Sequence, residues 1–369
     1  RDLGRLALAK AEIAREKSNP EQAEEETRSQ PQEEEAPHTA GTAEERLLAF
    51  IGGKAESALL MDAFNILLEE DIFRTNPQAL EKLNGWVKAR DASRQPAAMY
   101  AMGSLLLEKD DLSGAVKMAE EGLSKYPQSL PVQILSLNTI TVLLDKNRLQ
   151  DAERLISKYP GSSPDLVFQQ GALAFLKKDY SLAQKLFREA ARRASETTAE
   201  NALFNENLAA LNANDASGAA ALIKEASGSS RLRESILFEQ AHYAAKRMAP
   251  QAAELLANFI TLAETPALKT QARLDQVEVA LNLNPPDLET VQAILPLLEK
   301  EQLSPEQTMQ LARLNILEAE SRQEWPNAIQ SCRRAIALDS EGKQADMLYL
   351  KLGELLYKNG DFHLSLIHI

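Results

Sequence analysis

Small residues recur at one fixed distance along this chain. Gly103 and Gly171 are separated by 68 residues, and Ala115 and Ala183 are separated by the same number. A short polar turn lies between the glycine and the alanine in each stretch. Because two helices can approach closely only where side chains are small, this order predicts two helical hairpins. A distance of 68 residues is two units of about 34 residues each.

Two further stretches repeat part of this order. One contains Trp325, Ala328, Cys332 and Ala335, and the other begins at Leu352–Gly353. A single hairpin cannot cover its own apolar face, so we expect successive hairpins to stack. In these features the chain resembles the tetratricopeptide repeat family, whose period is about 34 residues. The resemblance is good over residues 96–127, 164–191, 306–340 and 346–362.

The resemblance implies an all-α fold, a right-handed superhelical solenoid of antiparallel helix pairs. We assign residues 96–363 to this solenoid and residues 43–95 to a helical segment that does not follow the repeat. The copy at 201–226 is weaker, because Asn207 stands where the family usually has Gly or Ala. The abundance of Ala, Leu, Glu, Gln and Lys also favours helix.

Proline marks the expected start of many helices, since its missing N–H costs nothing in the first turn. Ser304 and Gln307 have the spacing of a capping box. The β-branched run Thr139–Val142 is the strongest argument against helix, but it lies within the repeat and we predict helix there. The start signals are Asn76–Pro77, Gln95–Pro96, Leu130–Pro131, Ser163–Pro164, Thr265–Pro266 and Ser304–Pro305.

The two ends of the chain differ from the rest. Residues 1–18 have helical spacing and are expected to be the last helix of an upstream segment. Residues 19–42 contain seven glutamates and three prolines and no large apolar residue, which predicts a disordered acidic linker. Residues 364–369 are similar to the in-frame translation of a transposon end used in sequencing libraries, so we exclude them from the fold. Because the chain opens with Arg1, we expect its true start to be missing, and both cytoplasm and periplasm remain open.

The charge and the apolar runs bear on possible partners. A net charge of −13 disfavours broad binding to nucleic acid, whose phosphates would be repelled. No apolar run approaches the roughly 20 residues of a membrane span. Cys332 is the only cysteine, so no internal disulfide can form, and its repeat position predicts a core residue.

The chain offers few residues for catalysis or cofactor binding. Its histidines are His38, His242, His363 and His368, and no two of them have metal-ligand spacing. We expect His242 to be a packed or surface helix residue. Gly52–Ala55 resembles part of a phosphate-binding loop but lacks the upstream glycine and the Ser or Thr after lysine. We therefore predict no catalytic, cofactor or metal site.

The resemblance also implies where a partner would bind, because the first helices of successive hairpins line the concave groove in this family. An apolar groove suits an extended peptide or an amphipathic helix. The alternative is that several of these side chains only pack between hairpins. The candidate groove residues are Tyr100, Ser104, Leu107, Leu137, Leu144, Phe168, Phe175, Asn201, Phe204 and Leu211, with Asp165 and Asn212 as further polar positions.

Some family members clamp the C-terminal carboxylate of heat-shock chaperones with Lys, Asn and Arg on first helices. Tyr100, Ser104 and Leu137 occupy the corresponding places here, so we do not expect that mechanism. Two functions remain open for a chain of this kind. One is a non-catalytic scaffold that captures protein segments of unknown identity. The other is the non-catalytic arm of a larger enzyme or of an envelope or secretion assembly protein.

Overall fold

The computed structural model describes residues 42–53, 57–89, 91–339 and 342–361. These parts of the chain form 19 α-helices and one short 3₁₀ turn, with no strand, which confirms the all-α prediction. The predicted upstream helix at 1–18, nearly all of the predicted linker and the segment at 364–369 lie outside the described residues. Thr42, the last residue of the predicted linker, caps the first helix through its side chain.

The chain divides into two compact units, residues 1–199 and 200–369, and each is described by itself. The helices of the first unit are α1 (Ala43–Gly52), α2 (Ser57–Glu69), α3 (Ile72–Thr75), α4 (Pro77–Lys88), α5 (Gln95–Glu108), α6 (Leu112–Lys125), α7 (Leu130–Asp145), α8 (Leu149–Lys158), α9 (Pro164–Leu176) and α10 (Tyr180–Arg193). From α5 to α10 each helix packs on the next one. The pairs α5 and α7, α6 and α8, and α7 and α9 also pack together.

The second unit has the same kind of local packing. Its helices are α11 (Glu196–Asn212, which begins in the first unit), α12 (Ala216–Glu225), α13 (Ser230–Lys246), α14 (Ala252–Leu262), α15 (Pro266–Asn282), α16 (Leu288–Leu298), α17 (Pro305–Ser321), α18 (Trp325–Leu338) and α19 (Ala345–Lys358). Helices α13, α15 and α17 are the first members of three successive hairpins. Each of them packs on its own partner, and α15 packs on both α13 and α17.

The helix starts agree with the proline signals. All six predicted Xaa–Pro sites lie at the beginning of a helix, with proline in its first two positions. Ser304 and Gln307 form the predicted capping box, with each side chain accepting a hydrogen bond from the backbone N–H of the other. The run Thr139–Val142 lies inside α7, so helical packing overrides its β-branched composition.

The same backbone turn, the hairpin turn, follows seven of the helices. The second residue after each of these helices has a positive φ, and its N–H bonds to the carbonyl three residues earlier. The following N–H bonds to the carbonyl five residues earlier, which is the pattern of a Schellman motif. The positive-φ residues are Asp110, Asn147, Lys178, Asn214, Met248, Gln323 and Gly360.

The glycines of the repeat lie where helices approach each other closely. At Gly171, an added Cβ would meet the ring of Phe187 at 2.9 Å, so the aromatic ring fills the space beside the glycine. At Gly103, an added Cβ would instead meet the side chain of Leu135, which belongs to the next hairpin. The reason is Ala119, which stands 68 residues before Phe187 and is too small to fill that space.

Candidate partner-binding surface

The predicted groove residues of α5 and α7 lie against one apolar core. Tyr100, Leu107 and Leu137 are half-buried and pack on the cluster that includes Leu135 and Ile140. Burial raises the pKa of the Tyr100 phenol above its ordinary value of 10.0, so it stays neutral and can donate a hydrogen bond. These three residues therefore border one apolar core, each with part of its side chain still accessible.

Two neighbours of this group have other surroundings. The Ser104 hydroxyl donates to the carbonyl of Tyr100, one turn earlier in α5, at 3.0 Å. Leu144 is 5% exposed and belongs to the core. Its place among the candidate groove residues is therefore a wrong prediction, because the last turn of α7 is covered by neighbouring apolar side chains.

Phe168 and Phe175 on α9 are half-buried, and each packs on a ring of its own hairpin. The ring centroids of Phe168 and Phe187 are 5.3 Å apart, and Phe175 meets Tyr180 edge-on at the same distance. Phe168 thus supports the fully buried Phe187, whereas Phe175 lies near the turn. Of the two, Phe175 is the better position at which to test binding.

The remaining candidates lie on α11, in the second unit. Phe204 is half-buried against a cluster that contains Leu222, Leu232 and Ile236. Leu211 is half-buried and Asn201 is exposed. These residues share a helix with one another, and each of them keeps part of its side chain accessible.

A network of polar side chains on α13, α15 and α17 was not predicted from the sequence. His242 Nδ1 lies 2.5 Å from an oxygen of Asp275, and Lys246 lies 3.1 Å from Glu278. The amide of Gln310 continues this network to Glu278 at 3.2 Å. Each of these pairs is separated by about one repeat period, but that spacing alone does not single them out in the sequence.

Two further findings concern metal binding and membrane association. Among the described residues, no group of three or more His, Cys, Asp and Glu side chains could hold a metal ion. In the same parts of the chain, no helix has the length and apolar character needed to cross a membrane. His38, Lys54, Ala55, His363 and His368 lie outside the described residues.

Cys332 is buried in the core formed by α17, α18 and α19, as its repeat position predicted. Its S–H donates to the carbonyl of Leu348 at 3.4 Å, and burial raises its pKa from 9.0 to about 11. Because the thiolate is the reactive form, we expect very slow labelling by a thiol reagent at pH 8 and rapid labelling after unfolding in urea. Equal rates in the two conditions would contradict the burial of this thiol.

No protein-family model matches this chain, and no curated protein matches it. The resemblance to tetratricopeptide repeats therefore depends on the residues and spacings described above.

Proposed function

We propose that this chain is a non-catalytic scaffold that binds a peptide or an amphipathic helix on a solenoid of the tetratricopeptide type. The recurring hairpin turn supports the repeat, because seven copies of one backbone motif occur along the chain. The first helices of successive hairpins pack on each other, as α5 does with α7 and α7 does with α9. This packing supports the proposal that they line a common surface. A surface of this kind binds partners through a few anchoring side chains.

Half-buried apolar side chains are the observation that carries the proposal. Tyr100, Leu107, Leu137 and Phe175 each combine fixed packing with an accessible part. Side chains that are already held in place lose little conformational freedom when a partner binds. They could therefore act as preformed anchors for apolar side chains of an extended segment or of one helix face.

The test uses the full chain and a display library of short peptides. Selected peptides are synthesised, and their affinities are measured by fluorescence anisotropy. We expect Phe175→Glu to weaken binding by about tenfold or more, which is about 1.4 kcal/mol or more, because it places a charge at an apolar contact. Phe168 is unsuitable for this test, since its ring supports Phe187 in the core.

Leu182→Glu is the matched control. Leu182 lies on α10 of the same hairpin and is 46% exposed, but it belongs to a second helix. Its replacement should leave peptide affinity unchanged, while circular dichroism confirms that both variants are folded. Equal affinities of wild type and Phe175→Glu, or equal losses in both variants, would reject the proposed surface.

A further inference from the structure

The side chain of Asp275 on α15 is fully buried, although it carries an ionisable carboxyl group. Burying a charge in a protein interior is costly unless a partner compensates it. The compensation comes mainly from α13, where His242 Nδ1 lies 2.5 Å from Asp275 Oδ2. The Gln271 amide donates to the other carboxyl oxygen at 3.2 Å.

His242 is held in place as well as paired. Its ring stacks on Phe238, with centroids 5.4 Å apart and planes 20° apart, and its side chain is 30% exposed. The imidazole can therefore exchange a proton with solvent without leaving its position. This combination joins α13 to α15 through a group that titrates near neutral pH.

The charges around this pair are unbalanced. Glu239 and Lys246 of α13 face the pair of His242 and Asp275. Glu278 of α15 lies near Lys246. Lys246 Nζ is 3.9 Å from Asp275, which is a weaker contact than that of His242. Helix α17, which also packs on α15, contributes Gln310, which is uncharged. When His242 is neutral, three carboxyl groups share the single positive charge of Lys246.

We propose that His242 and Asp275 form a proton-sensitive clasp between α13 and α15. Protonated His242 balances the buried carboxylate of Asp275 and holds the two first helices together. Loss of that proton leaves a buried negative charge beside Glu239 and Glu278, and the contact between the helices weakens. The clasp is a property of the second unit and does not depend on the binding surface proposed above.

The direction of the effect follows from the titration of the groups involved. The hydrogen bond to Asp275 raises the pKa of His242 above its ordinary value of 6.5. The stabilisation is therefore complete below pH 6.5 and is lost as the pH rises through the folded-state value. Burial also raises the pKa of Glu239 above 4.5. Glu239 therefore also makes the stability of the fold decrease as the pH rises, but at lower pH than His242 does. The clasp should thus weaken as the pH rises above 6.5.

The first measurement is an NMR titration of the histidine ring protons in the full chain. The sequence contains four histidines, so the signal missing from His242→Gln identifies His242. We expect the pKa of His242 to lie above 6.5 in the wild type and to move down in Asp275→Asn. An ordinary value in the wild type, or one that Asp275→Asn leaves unchanged, would overturn the proposal.

The second measurement is urea unfolding of the full chain between pH 5.5 and pH 9. In the wild type, the ratio of folded to unfolded protein should fall as the pH rises. The total fall equals the ratio of the His242 acid dissociation constant in the unfolded state to that in the folded state. His242→Gln keeps a donor for Asp275 but cannot change charge, so this part of the pH dependence should vanish. Glu239→Gln should keep most of it, because the hydrogen bond to Asp275 is the largest cause of the raised pKa of His242. Identical pH profiles for wild type and His242→Gln would refute the clasp, even if Asp275→Asn fails to fold.

Discussion

Replacing Phe187 by Ala should lower the free energy of unfolding by about 3–5 kcal/mol, the range measured for buried aromatic residues. Phe187 is 1% exposed and fills the space beside Gly171. Its ring also contacts Phe168, so the substitution opens a cavity lined by two helices of one hairpin. The measurement is urea unfolding of the full chain, followed by far-UV circular dichroism.

Leu182→Ala is the control for this prediction. Leu182 lies on the same helix, α10, and is 46% exposed, so its truncation should change the free energy of unfolding by less than about 0.5 kcal/mol. The two variants share their helix and their final side chain. A loss of similar size in both would show that Phe187 does not have the packing described here.

Gly171→Val should cost about 3 kcal/mol, the upper part of the usual range for overpacking a well-filled core. The first added carbon already lies 2.9 Å from two ring carbons of Phe187, and that ring is buried. Gly85→Ala on α4 is the opposite case, since nothing lies within 4 Å of its added carbon. That change should stabilise the chain by about 0.5–1 kcal/mol through helix propensity.

The two core substitutions should also depend on each other. In the Phe187→Ala background, the space left by the ring can accept the isopropyl group that Gly171→Val introduces, so the cost of this second change should largely disappear. A double-mutant cycle measures this coupling directly, and residues in contact typically give about 0.5–3 kcal/mol. Additive effects would mean that the glycine and the ring do not touch.

Local signals in the sequence were sufficient to place the starts of six helices. Proline at a helix start and a side chain at an N-cap act within a few residues, so neighbouring packing does not decide them. The close helix approach at Gly171 was predictable from its small side chain, but the residue that fills the space was not, since Phe187 does so here and Leu135 of the next hairpin does so at Gly103. The solenoid itself is inferred from the resemblance and the recurring turn, and it stays part of the proposal.

Contacts between hairpins were harder to predict. The space beside Gly103 is filled by Leu135 because Ala119 is too small to fill it. This outcome depends on the volumes of both side chains, which no local sequence pattern predicts. The burial of Leu144 was missed for the same reason. His242 and Asp275 are one repeat apart, but many polar pairs have that separation, and only the packing of α13 on α15 selects this one. Access of a partner to the candidate groove residues stays a prediction.

The recurring hairpin turn has a consequence for how such a chain can change over evolution. Main-chain hydrogen bonds define the hairpin turn, and Asp, Asn, Lys, Met, Gln and Gly all occupy its left-handed position. Because this turn accepts many residue types, duplicated repeats can lose their sequence similarity while their backbone conformation is kept. The common origin of the repeats would then be detectable in the backbone structure after sequence similarity among them had been lost.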